Sequence, residues 1–155
     1  MAKLFLMVGL PGSGKTTLAK KIEQDESALR LTPDEWIAML SIDPYARAAR
    51  TQIESLQWIV AARALELGLN VILDFGFWSR QERDDFRARA LALRACVEVR
   101  FLDVTREDLC ARLAVRRADE SPTAFPVSDA QLEEYFALFE PPSSEELQPS
   151  SRVGH

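Results

Sequence analysis

The residues Gly9-Leu10-Pro11-Gly12-Ser13-Gly14-Lys15-Thr16 fit the pattern G-x-x-x-x-G-K-[ST] at every fixed position. The glycines let the backbone turn so that successive N–H groups, those around Pro11 and Ser13 included, point inward at an anion. A helix starting directly behind the loop adds its positive end to the same point. Lys15 can then reach the outer phosphates of a nucleoside triphosphate. Thr16 is placed to put its hydroxyl on Mg²⁺, and Thr17 reaches the α-phosphate. A plain glycine-rich turn would share some of these residues, but the full spacing between a strand and a helix favours phosphate binding.

Two acids stand at strand ends. Asp34 follows Ala28–Leu31 and falls in the first turn of a helix. A carboxylate there could accept the proton of an attacking hydroxyl, or it could serve only as an acid favoured by the helix dipole. Asp74 ends the run Val71-Ile72-Leu73, where it would meet a metal shell or the substrate, or cap a loop. Phe75-Gly76-Phe77-Trp78 follows directly, with Gly76 permitting close approach and Trp78 the aromatic best suited to wall a substrate pocket. Phe75 and Phe77 read equally well as core.

Two groups of arginines complete the candidates. Arg80, Arg83 and Arg87 share one helix face, within reach of Glu82, Asp84 and Asp85. A salt-bridged, solvated face is the default, and Arg80 and Arg83 are the better candidates for substrate. Arg112 and Arg116 lie one turn apart ahead of a proline-bearing loop. From a closing lid they would neutralise charge on a transferring phosphoryl group, or they simply complement the helix dipole with Arg117.

The elements that must position these groups alternate. Lys3–Val8, Ala28–Leu31, the segment from Asn70 and that from Cys96 read as strands. Helices are expected over Lys15–Gln24, from Thr32 to Leu40, over Ala46–Leu67, from Ser79 to about Arg94 and from Thr105 to about Arg117. Thr32/Glu35, Ser79/Glu82 and Ser128/Gln131 have capping-box spacing, the last with a Val127–Leu132 staple. Alternation of this kind implies a parallel sheet with right-handed crossovers. Ala118 to Pro126 reads as a short lid loop, and the Pro- and Ser-rich segment 143–155 as a flexible tail, disordered beyond about 147.

Composition bounds the reading. The chain has 155 residues, 47% hydrophobic and 28% charged, which suits one globular domain. Net charge is −5, so no broad nucleic-acid footprint is expected. Two cysteines and one histidine, the last residue, exclude a disulfide framework and leave any general base to a carboxylate. No apolar run approaches the length of a membrane span, and the first apolar stretch leads straight into the glycine motif, so it reads as a strand of a cytoplasmic protein rather than a signal peptide.

Together these residues resemble the small P-loop kinases related to adenylate kinase, and within them the AAA-like ATP-binding group whose relatives include chloramphenicol phosphotransferase, the polynucleotide 5′-kinase domain, gluconate kinase and zeta toxins. The resemblance covers about residues 3 to 142; Leu31–Trp36, Leu73–Arg80 and Phe139–Pro142 look like the narrower group. It implies an α/β P-loop three-layer sandwich over 1–142, with Asp34 as base and Arg112 and Arg116 as lid arginines. It also implies a nucleotide base near Glu140, Pro141 and Pro142. The family usually carries a fifth strand after the last helix, and Ser143 to His155 shows no convincing one. The implied reaction is Mg²⁺- and ATP-dependent transfer of the γ-phosphate to a hydroxyl of a small molecule such as a nucleoside, sugar or antibiotic. A 5′-hydroxyl polynucleotide end is the rival acceptor, and a nucleotide-dependent switch the rival class. No N-K-x-D-like guanine reader is present, so ATP is the default donor.

Overall fold

The computed structural model describes residues 1–119 and 127–149, with backbone alone at 117–119. The elements run β1 (Lys3–Val8), α1 (Lys15–Asp25), β2 (Ala28–Leu31), α2 (Pro33–Met39), α3 (Arg47–Glu66), β3 (Asn70–Gly76), α4 (Arg80–Ala92), β4 (Cys96–Phe101), α5 (Arg106–Asp119) and α6 (Asp129–Leu138). The four strands form one parallel sheet in the order β2-β3-β1-β4. Segments 120–126 and 150–155, which include most of the expected lid loop and the end of the expected tail, lie outside the described residues.

The side-chain period of β1 makes the layers. Leu4, Leu6 and Val8 face one side and pack with Ala61, Ala64 and Leu65 of α3 and Phe86 and Ala90 of α4. Phe5 and Met7 face the other side and meet Ala19 and Ile22 of α1. A strand buried on both faces reads as a continuous apolar run. A third cluster, Leu113 with Val127 and Leu132, fastens α6 to α5 and includes the expected staple pair.

The order β2-β3-β1-β4 sends chain out to opposite faces on either side of β1, and ligands of open α/β sheets bind beyond the strand C-termini at such a point. Both strand-end acids and the glycine loop lie there. Asn70 ties the opposite end together, accepting from the Lys3 N–H at 3.0 Å and donating to the Glu26 carbonyl at 2.9 Å.

Two segments differ from the sequence expectation. Residues 144–147 form a turn, and Glu146 is only 2% exposed, so the chain is packed onto the domain past the expected boundary at 142. The reason is a buried partner on α4. Arg83 donates to the Glu146 carboxylate at 2.8 and 3.4 Å, and the Ser143 N–H donates to it at 2.8 Å. Second, β3 continues through Asp74 to Gly76. Gly76 has φ +95° there, and a Cβ would come within 3.2 Å of the Trp78 indole nitrogen.

Candidate active site

The glycine loop leaves β1 and turns into α1. The Gly9 N–H donates to the Gly76 carbonyl at 3.1 Å, which ties the loop to the end of β3. Gly12 has φ +83°, and a side chain there would meet Leu113 of α5 at 3.1 Å. Arg112 on the same helix donates to the Ser13 carbonyl at 3.0 Å. Helix α5 is thus fastened over the loop, with Arg112 on its rim. Arg116, one turn on, is exposed, and its positive charge is felt at Lys15.

Behind the loop the polar groups are linked. The Thr16 hydroxyl donates to Asp74 Oδ2 at 2.7 Å, and the Thr32 hydroxyl donates to the same oxygen at 3.1 Å. Thr32 is therefore spent on the site, and the capping box expected with Glu35 does not form. Glu35 instead accepts from Arg30 at 2.7 Å. Burial pushes the Asp74 carboxyl above its usual range, with Lys15 and the two threonines opposing that shift. Burial also pushes the Lys15 ammonium below its ordinary value, partly offset by Asp74 and Asp34.

Asp74 Oδ1 is buried and has no hydrogen-bond partner. A buried acceptor left open is costly unless a ligand completes it. The donor set of one carboxylate, one hydroxyl and adjacent phosphate oxygens suits Mg²⁺, which keeps waters and needs no protein cage. The described residues contain no group of three or more His, Cys, Asp or Glu side chains poised for a metal.

Next to the loop opens a crevice of about 560 Å³. Pro11 and Lys15 of the phosphate loop border it, together with Asp34 of α2, Arg50 and Glu54 of α3, and Trp78. Arg50 donates to Asp34 Oδ1 at 2.6 Å and to Glu54 at 3.2 Å. Burial opposes the charge on Arg50, but Asp34 and then Glu54 outweigh it, so its pKa lies above the ordinary value. Trp78 packs against Tyr135 of α6, with ring centroids 4.8 Å apart. Phe75 and Phe77 stack 5.3 Å apart and are buried in the main core while still touching the crevice.

The structure separates the remaining expected substrate residues. Arg83 does not reach the crevice. It is fully buried, paired with Glu146, and donates to the Phe77 carbonyl at 2.9 Å, because the segment 143–147 packs against α4. Arg80 is on the exposed outer face with Asp84 at 3.3 Å. The Glu140 N–H donates to the Trp78 carbonyl at 2.8 Å, and Pro141 borders a smaller cavity of about 180 Å³ beside Leu10 and Ser13. Sequence reasoning missed Arg50, Glu54 and Tyr135, and also Tyr45, which borders the same crevice. Arg50 and Glu54 carry only an ordinary i,i+4 helix pair as a local signal, and the aromatics carry none.

Among the described residues, no helix is long and apolar enough to cross a membrane. The model of the AAA domain family (AAA_33) matches residues 4–142. No curated protein matches the chain. Among solved structures it is similar to a chain of a Pnkp1/Rnl/Hen1 complex, with 26% identity and TM-score 0.64, covering 72% of this chain and 38% of that one. It therefore spans well under half of that relative. It is also similar to Chaetomium thermophilum Kti12 in complex with ADP-AlF3, with 22% identity and TM-score 0.71 over 92% and 82% of the two chains. A gluconokinase from Sinorhizobium meliloti matches at 17% identity and TM-score 0.63, over 94% and 78%. The last two likenesses show the fold. With nine-tenths of its length matched, the chain belongs to the AAA domain family (AAA_33).

Proposed function

We propose that the protein is a phosphotransferase that moves the γ-phosphate of ATP to a hydroxyl of a small molecule bound in the crevice. The observation that carries this reading is the placement of Asp34. It borders the crevice together with Lys15 of the phosphate loop, and its charge acts on that lysine. A nucleotide-dependent switch would need no carboxylate beside its phosphate loop on the border of an open crevice.

The residues divide the work. The N–H groups of the loop from Gly9 to Gly14 and the side chains of Lys15, Thr16 and Thr17 bind the triphosphate. Thr16 and Asp74 would hold Mg²⁺, which when bound neutralises charge on the β- and γ-oxygens. Asp34, held through Oδ1 by Arg50, keeps its other oxygen for the acceptor hydroxyl. That hydroxyl oxygen forms the new P–O bond as the bond to the β-phosphate oxygen breaks. Its proton goes to Asp34, and ADP leaves. Transfer of this type needs positioning more than strong base catalysis, which suits a carboxylate in an ion pair. Arg112 and Arg116 close from the α5 side onto the transferring group, and Pro141 with Glu140 borders the base.

Incubation with Mg²⁺ and γ-labelled ATP across nucleosides, sugars, aminoglycosides, chloramphenicol-like compounds and a 5′-hydroxyl oligonucleotide tests this directly. Label is expected on one class of small acceptor and is expected to vanish with Lys15→Ala. Nucleotide binding with no transfer to any acceptor would favour the switch.

A further inference from the structure

The crevice carries an excess of negative charge. Among the described residues its border holds four carboxylates, Asp34, Glu54, Glu82 and Glu134, and two guanidiniums, Arg47 and Arg50. Lys15, on the same border, belongs to the phosphate loop. Arg50 is already engaged by Asp34 and Glu54 at 2.6 and 3.2 Å. Arg47 meets Glu134 only at 3.8 Å on the exposed rim.

Glu82 is the unmatched group. Ser79 accepts from the Glu82 N–H at 3.1 Å, which is half of a capping box. The return bond from the Ser79 N–H to the Glu82 carboxylate is not formed, and the side chain borders the crevice instead. No ion pair or hydrogen bond engages that carboxylate among the described residues. Burial pushes the carboxyls of both Glu54 and Glu82 above their usual range; Arg50 opposes the shift at Glu54, and at Glu82 the charge of Glu54 adds to it while Arg83 and Arg50 oppose it. Each would gain from a positive partner.

One further feature points to a cationic ligand: the Trp78–Tyr135 wall of the crevice, whose rings attract a cation held over their faces.

We propose that the acceptor is a polyhydroxyl compound bearing an ammonium group, of the amino-sugar or aminocyclitol kind, with Glu82 and Glu54 binding the ammonium while a hydroxyl meets Asp34. This rests on the kinase reading above. An anionic acceptor, a polynucleotide end or a sugar acid, would meet a Glu82 carboxylate that no ion pair or hydrogen bond engages among the described residues, and such a repulsive contact is what separates one substrate class from another.

The test compares glucosamine and 2-deoxystreptamine with N-acetylglucosamine, gluconate and a 5′-hydroxyl oligonucleotide as acceptors of label from γ-labelled ATP. Glucosamine is expected to exceed its N-acetyl derivative at least tenfold in kcat/KM. In Glu82→Gln that ratio is expected to fall by about the same factor. Equal use of the two sugars, or preference for gluconate or the oligonucleotide, would overturn the proposal. If no acceptor takes label, calorimetric titration with a non-hydrolysable ATP analogue present separates the two readings. Binding of 2-deoxystreptamine that Glu82→Gln weakens tenfold would uphold the cation subsite while the kinase reading fails. No binding of either amine would overturn the subsite as well.

Discussion

Two arginine–carboxylate pairs in this molecule have nearly the same contact distance and opposite settings. Arg50 donates to Asp34 at 2.6 Å, and the two side chains are 34% and 41% exposed. Arg83 donates to Glu146 at 2.8 Å, and they are 0% and 2% exposed. The first pair opens onto the crevice and can exchange partners with a ligand. The second has its donors shared between Glu146 and the Phe77 carbonyl, and so pins the chain end to the segment that walls the crevice. Solvent access, rather than residue type, separates a pair open to a ligand from one closed into the architecture.

Breaking the buried pair on one side has the largest expected effect on stability. Glu146→Ala leaves the Arg83 charge buried without a partner, which costs about 3–5 kcal/mol and lowers Tm by roughly 6–20 °C in thermal unfolding. Breaking the open pair separates the two roles. Arg50→Gln is expected to lower kcat by about tenfold to a hundredfold through misplacement of Asp34. Its unfolding free energy should change by no more than about 1 kcal/mol, because the pair is partly exposed. A Tm loss matching that of Glu146→Ala would erase the distinction between the pairs.

Replacing both buried partners by apolar groups sharpens the comparison. Arg83→Met with Glu146→Leu is expected to recover most of the loss, since well-packed apolar pairs often match a buried ion pair or exceed it by about 1–4 kcal/mol. Denaturant midpoints of the single and double variants check this.

The smallest effect is in pH. Burial pushes the Glu146 carboxyl up, but the hydrogen bonds from Arg83 and the Ser143 N–H outweigh it, so its folded pKa lies below the ordinary 4.5. A depressed acid pKa stabilises the fold fully above the unfolded value and loses that contribution as pH falls through the folded one. Stability of the wild type should therefore fall below about pH 4.5 more steeply than that of the apolar double variant, measured by thermal unfolding across pH.

The same contrast explains what was legible in the sequence. The phosphate loop, Asp34, Asp74 and Trp78 are read from short-range order: a glycine spacing, a strand end and the turn after it. The four strands and the helix starts follow from local periodicity and capping. Arg83 misleads because Glu146, 63 positions away, lies in a Pro- and Ser-rich stretch that has no periodic signal. Arg50 escapes notice for the converse reason. Its pair with Glu54 is an everyday helix-surface pattern, and only the packing of α3 against α2 brings it to Asp34. Thr32 and Glu82 both have capping-box spacing, and in both the box is incomplete because one of its side chains borders or serves the site. Local rules give way where groups are needed for chemistry.

The most direct measurement is phosphoryl transfer by Asp34→Asn alongside its affinity for a non-hydrolysable ATP analogue. The predicted result is unchanged nucleotide affinity with transfer to the acceptor hydroxyl reduced by about 10²–10⁴-fold, the usual contribution of a positioned proton acceptor. Transfer at the wild-type rate would contradict the assignment of Asp34, and with it the crevice as the place where the hydroxyl is phosphorylated.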